Sequence, residues 1–428
     1  MASPAVPTPP RPRGGSDPEP PPLDLLRPLR SAGSLENPYP VYAVLRTVRP
    51  VLEVPVPGAG EADVWLLTRY RDVHECLRDP RLSADRLRAR LVRDNLDRLP
   101  PFIRQTATGM RSLLTMDAPD HTRVRKLVNK AFTPRRIAAL AGRIQEIVDS
   151  QLDGVDAARG MELIHDLAEP VPAIVIAELL GVPAEDHRQF RKWSSELIAQ
   201  IASQNTAERQ QRGAAAAGQL LGYLGDVIAA RRREPREDLI SAMIHAQEED
   251  DALTDAELLA TSNLLLLAGH ETTTNLIGNG MLALLREPEQ LERLRADPSL
   301  MKRAIDELLR FDGPVQATVR ATTEDVEIDD RVIPEGALVI LNLGAANHDP
   351  EVFEDPGRLD LGRDPNPHLA FGFGAHFCMG APLARLEAEI TFRTLLARFP
   401  KISLESDTPD YRENPILRGL KHLELSFG

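Results

Sequence analysis

The densest chemical signal in this 428-residue chain is Phe371-Gly372-Phe373-Gly374-Ala375-His376-Phe377-Cys378-Met379-Gly380. Two glycines one residue apart permit a tight loop with backbone angles that other residues avoid. Cys378 ends that loop, and a helical pattern over Ala381–Phe399 follows it. A thiol at a helix N-terminus meets free amides and the positive end of the dipole, which favour thiolate. A single thiolate on a glycine-braced loop suits an axial iron ligand. The other cysteine, Cys76, lies among apolar residues and reads as structural. Two cysteines supply neither a disulfide framework nor a four-cysteine zinc site, which points to a reducing cytoplasm.

A second segment breaks local rules. Ala268-Gly269-His270-Glu271-Thr272-Thr273-Thr274 sits mid-way along an otherwise apolar helical pattern. Glycine and threonines cost helix propensity, and a buried Glu271 is expensive. A carboxylate beside a hydroxyl can relay protons through water. Ala268 and Gly269 leave room for a small molecule, and a local opening of the helix is expected there. Three charged sets complete the inventory. Glu307 and Arg310 are three apart and share a helix face, as do His121 and Arg125, four apart. Arg320 interrupts the strand-like stretch Val315–Thr322.

These residues need a scaffold, and helical periodicity dominates from Asn37 onward. Helices are expected at Pro40–Val48, Arg69–Leu77, His121–Lys130, Arg135–Gln151, Met161–Leu180, Ala184–Ile201, Ala214–Arg232, Leu300–Phe311 and Ala381–Phe399. The longest runs from Asp255 to Arg286. Thr254 and Glu257 form a capping-box pattern at its start, and Glu287-Pro288 ends it. Strand signals are short: Val51–Val56, Val64–Leu67, Val326–Asp329 and Ala337–Leu341. The class is mainly α with small β-sheets. Ten of 36 prolines fall in the first 28 residues, so residues 1–34 read as a flexible tail unable to form helix. No linker divides residues 35–428, which are expected to form one domain. The net charge is −13, from 51 basic and 64 acidic residues, which argues against nucleic acid as a general partner. No apolar stretch approaches the roughly 20 residues that span a bilayer.

The cysteine segment resembles the haem-binding loop of the cytochrome P-450 family, the haem-thiolate monooxygenases. All six fixed positions of the bacterial pattern are present: Phe371, Gly372, Gly374, His376, Cys378 and Gly380. The resemblance covers Asn37 to Gly428. It implies haem b (iron protoporphyrin IX) buried between the long helix and the cysteine loop, with Cys378 as iron ligand and Phe371, Gly372, Gly380 and Ala268 against the haem. It makes Thr272 the hydroxyl that hydrogen-bonds dioxygen and Glu271 the acid that feeds it protons. His121, Arg125, Arg320 and His376 would hold the propionates. Glu307 and Arg310 would join a later arginine, matched by Arg358, in a buried network. Substrate would meet Leu264, Leu267, Val315, Gln316, Thr318, Val319, Ile416 and Leu417, under lids at about 82–112 and 187–212.

The implied reaction is insertion of one oxygen atom from O2 into a hydrophobic organic molecule, as hydroxylation or epoxidation. Macrolide or polyketide, terpenoid, steroid and fatty acid are all open as substrates. Electrons would pass from NAD(P)H through a ferredoxin reductase and an acidic ferredoxin docked near Arg123, Lys126, Lys130, Arg135 and Arg136. Alternatives are peroxide-driven oxidation, C–C or C–O coupling, and a non-catalytic haem-binding protein. The expected form is a cytoplasmic monomer.

Overall fold

The computed structural model describes residues 22–26, 29, 32–56, 63–98, 111–198, 206–248, 251–414 and 416–428. The long helix forms over Asp255–Arg286 with both halves of its Thr254–Glu257 capping box in place. Most of its side chains are buried, because helices pack around its whole length. Helix Pro170–Leu179 lies along one side; Met301–Asp312 and Ala381–Arg398 lie along another. Gly280 permits that close approach: a Cβ there would stand 2.9 Å from the Phe392 ring and 3.1 Å from Leu308. The largest apolar cluster unites these helices with Ala141–Asp153 and Ala207–Arg233.

A five-stranded sheet flanks the helical body. Its order is Val51–Glu53, Val64–Leu67, Leu338–Asn342, Ala317–Thr322, Leu82–Ser83. Strand Leu338–Asn342 is parallel to Val64–Leu67 and antiparallel to Ala317–Thr322, where Val339 faces Arg320 and Leu341 faces Thr318. This pairing fixes which side chains of Ala317–Thr322 can reach the helical body. A smaller antiparallel sheet joins Ile402–Leu404, Glu424–Phe427 and Met161–Glu162.

Three expectations change. Helix Met161–Leu180 is divided: Met161–Glu162 pairs as a strand, Ile164–Ala168 is a π-helical turn, and the α-helix starts at Pro170. Pro170 and Pro172 lack the amide protons that would continue an α-helical ladder through this turn. Arg135–Gln151 likewise breaks at Leu140 into Pro134–Ala139 and Ala141–Asp153. The proline-rich tail is not wholly without structure: Pro22–Leu26 is a short helix, and Leu25 packs with Tyr42, Leu45, Leu52 and Leu66. Residues 1–21 lie outside the described residues. So do 99–110 and 199–205, which fall within the two expected lids. Among the described residues no helix is long and apolar enough to cross a membrane.

Candidate active site

Cys378 is reached by a loop whose glycines take positive φ, +69° at Gly372 and +71° at Gly374. At Gly374 a Cβ would also stand 2.9 Å from the Leu77 carbonyl, so conformation and space both demand glycine. The Cys378 amide donates to the Phe371 carbonyl at 2.9 Å, closing the loop. The amides of Gly380 and Ala381 are directed at the cysteine sulfur, and Arg125 and Arg385 add positive charge. Burial nevertheless wins and pushes the thiol pKa above its ordinary value. The expected lowering by the helix terminus is therefore outweighed, and a metal ion is what would make this sulfur a thiolate. Cys378 is surrounded by protein yet open to a water-sized molecule, as are Phe373 and Phe377, so the loop borders an interior cleft. Cys76, by contrast, is buried and its thiol is pushed up to about 12, mainly by burial.

Around the loop gathers an excess of positive and imidazole groups. His121 and His376 stack at 4.1 Å between ring centroids. Arg125 donates to the Phe377 carbonyl at 2.6 Å. Arg320, buried, spends one nitrogen on Thr318 Oγ1 and the Val319 carbonyl. Burial, with Arg86 next, lowers Arg320 to about 10. Burial, then Arg320 and His121, lowers His376 to about 4. Asp117 is the carboxylate felt by His121, His376 and Arg320, and it is already engaged by Ser83 Oγ and the Ala84 amide. Among the described residues, His121 Nε2 and Arg86 Nε are buried without hydrogen-bond partners. Such a cluster calls for anions. Haem brings two carboxylates and an iron, so the donor set fits it: Cys378 for the metal, and His121, Arg125, Arg320 and His376 for the propionates. Arg86 joins that set and was not anticipated; it is one arginine in an arginine-rich loop with no periodicity to single it out.

One stripe of the long helix is more open than the rest. Ala268 is exposed and Leu264, Leu267 and Thr272 are half-buried, although Leu266, His270 and Glu271 are buried. The helix is continuous here, and the expected opening is not formed. Instead the Thr272 hydroxyl donates to the Ala268 carbonyl at 2.6 Å, a back-bond that satisfies it within the helix. Glu271 turns the other way. Its Oε1 accepts from Arg412 Nη1 at 2.6 Å, and Arg412 is itself held by the Leu420 carbonyl at 3.2 Å. Burial raises the Glu271 pKa, against the attraction of Arg412. Arg412 was missed because nothing local in the sequence ties it to a helix 141 residues away.

The remaining candidates divide. Val315 bridges to Leu417, bringing the C-terminal turn beside the strand that carries Thr318 and Val319, all four half-buried. Ile416 is exposed, and Asn414 Oδ1 accepts from the Ile416 and Leu417 amides at 2.9 Å each. Gln316 is a correction: it is buried, donates to the Gly313 carbonyl at 2.8 Å and packs on Gly344, so it supports the strand and does not face the cleft.

Glu307 and Arg310 pair through two bonds of 2.8 Å with both side chains fully buried. The third member is also corrected. Arg363 Nε reaches both Glu307 oxygens at 3.1 Å, whereas the Arg358 side chain is exposed and only its carbonyl accepts from Arg310. Asp360 N and Asn366 Nδ2 add bonds of 3.0 and 3.2 Å to Glu307. The expected basic patch changes too. Arg123 pairs with Asp251 at 3.2 Å and with Glu257, so it is neutralised, while Lys126, Lys130 and Arg135 are exposed and Arg136 half-buried.

A family model described as Cytochrome P450 matches residues 93–427. The chain is 44% identical over 397 residues to vitamin D(3) 25-hydroxylase of Pseudonocardia autotrophica, covering 92% of this chain and 94% of that protein. It is 42% identical over 428 residues to cytochrome P450 monooxygenase PikC of Streptomyces venezuelae, covering 97% of each. Among solved structures it is similar to the bacillaene polyketide synthase cytochrome P450 PksS of Bacillus subtilis 168. That TM-score is 0.84 at 36% identity, over 93% of this chain and 98% of the other.

Proposed function

The chain belongs to the cytochrome P450 family of monooxygenases, and from that premise we propose that it inserts one oxygen atom from O2 into a hydrophobic organic substrate. The observation that carries this reading is the open stripe Leu264, Leu267, Ala268, Thr272, set in a helix buried along most of its length. Its apolar members suit a hydrophobic molecule, and its one hydroxyl supplies a proton donor where Ala268 leaves room for dioxygen.

Cys378 would hold the haem, which when bound would supply dioxygen activation. Arg125, Arg320 and Arg86 would neutralise its carboxylates, and His121 and His376 would donate hydrogen bonds to them. Thr272 turns its hydroxyl from the Ala268 carbonyl toward the substrate cleft and donates there. Glu271 replaces that proton through water, and Arg412 holds the carboxylate ready when it is charged. Leu264, Leu267, Val315, Thr318, Val319 and Leu417 exclude water and orient the substrate.

A macrolide or polyketide is the first substrate class to test, because PksS, named for a polyketide synthase, is similar over nearly the whole chain; steroid-like molecules follow from the vitamin D(3) hydroxylase. Electrons arrive from an acidic ferredoxin and its reductase at Lys126, Lys130, Arg135 and Arg136. The test is a library screen for the low-to-high-spin Soret shift, then turnover of the best ligand under isotopically labelled dioxygen. One labelled oxygen atom per product is expected. Product oxygen drawn from water or peroxide would contradict the proposal.

A further inference from the structure

We propose that Glu162, His165 and His422 form a surface site for a divalent zinc-type cation, separate from the haem site. One ligand atom from each of the three lies within 4.8 Å of the others. They come from three elements: strand Met161–Glu162, the π-helical turn Ile164–Ala168 and strand Leu420–His422. Two imidazoles and one carboxylate, with remaining positions open to water, are a ligand set for zinc and its neighbours in the first transition row.

The ligands are already positioned. Glu162 Oε1 accepts from the Leu423 amide at 2.6 Å and the Ile164 amide at 3.3 Å. Among the described residues its Oε2 accepts only from the His165 amide, at 2.6 Å, and so keeps a lone pair. His165 Nδ1 lies 2.9 Å from Glu169 Oε2. A carboxylate there fixes the tautomer with hydrogen on Nδ1 and leaves Nε2 to bind metal, the usual outer-shell arrangement of a zinc histidine. The π turn creates this contact: its bond from the Glu169 amide to the Ile164 carbonyl, at 2.8 Å, brings Glu169 back beside His165. The two imidazole rings meet edge to face at 5.2 Å.

The local charge favours a cation. Glu162 stands directly opposite Glu424 in the antiparallel ladder. Like charges in that position repel, and a bound cation would relieve the repulsion. Asp166, whose carboxylate accepts from the Glu162 amide at 3.0 Å, adds to the field. The ion would staple the π turn to the strand pair Asp410–Tyr411 and Leu420–His422, next to Arg412 and its grip on Glu271.

The test uses the full-length, haem-loaded protein, cleared of stray metal with a chelator and dialysed against zinc chloride. Zinc per chain is counted beside iron by elemental analysis. The expected result is one zinc per chain in the wild type, lost in His165→Ala and in His422→Ala. Glu169→Gln should keep the stoichiometry but weaken binding about 10–100-fold. His422→Asn, of similar polarity, serves if an alanine variant folds poorly, and unchanged iron content verifies the fold. Zinc uptake that is equal in the wild type and the His165→Ala/His422→Ala double variant overturns the proposal. So does no uptake by the wild type.

Discussion

Glu271 and Thr272 are sequence neighbours held differently, one by Arg412 and one by the Ala268 carbonyl on the open stripe of the helix. The relay therefore needs both a hydroxyl that can turn and an acid whose charge is governed from behind. Thr272→Ala should still consume reductant but release more peroxide and less product. Arg412 opposes the burial that raises Glu271, so Arg412→Ala should raise that carboxyl further and move the upper limb of the coupling profile to higher pH. Arg412→Lys should restore it; an unmoved profile in Arg412→Ala would show that the pair does not control proton supply. A second acid bears on stability. Glu387 is buried, and burial raises its pKa from 4.5 to about 8, with Thr273 its hydrogen-bond partner. The folded state then holds a proton that the unfolded chain has lost, so stability falls as pH rises between these two values. The fall is on the order of several kcal/mol at ~1.4 kcal/mol per unit. Glu387→Gln should flatten the decline of the thermal midpoint across that window, and an equally steep decline in the variant would refute the assignment.

At the scale of elements, the Glu307 network ties helix Met301–Asp312 to the segment that leads into the cysteine loop. Replacing Arg363 leaves a fully buried carboxylate short of a charged partner, and Arg363→Ala should cost about 1.5–3 kcal/mol. Arg358→Ala should stay within ~0.5 kcal/mol, as for an exposed side chain. Denaturant midpoints of the two variants decide this, and the reverse order would restore Arg358 to the network. The same pair shows what a sequence can convey. Glu307 and Arg310 were legible because helical spacing alone makes them meet. Which arginine of the following loop folds back was not, because loop geometry has no period. The long helix was legible to the residue at both ends, since a capping box and a Glu-Pro step are local signals. Met161–Leu180 was misread because its first residues are claimed by strand Glu424–Phe427 from the far end of the chain. The two glycines of the cysteine loop were legible for the same local reason as the caps, and both take positive φ. Arg86 and Arg412 were not, because only tertiary packing brings them to the site.

Over the whole molecule the charge is −13, yet Lys126, Lys130, Arg135 and Arg136 are grouped near the helix whose Arg125 touches the cysteine loop. An acidic carrier would be steered there against the repulsion of the rest of the surface, and salt would screen that steering. Reduction by an acidic ferredoxin should slow steeply with ionic strength in stopped flow. Exchanging Lys126 and Arg135 for Glu should slow it further without altering the substrate-induced spin shift. A rate indifferent to both would place the docking surface elsewhere. The coupling and reduction experiments depend on one claim, that a haem lies between the long helix and the glycine-braced loop with its iron on Cys378. The most direct measurement is the dithionite-reduced carbon monoxide spectrum of the wild type, Cys378→Ser and Cys76→Ser. The wild type and Cys76→Ser should show the strongly red-shifted Soret band of thiolate ligation, and Cys378→Ser should lose it. Survival of that band in Cys378→Ser would contradict the account.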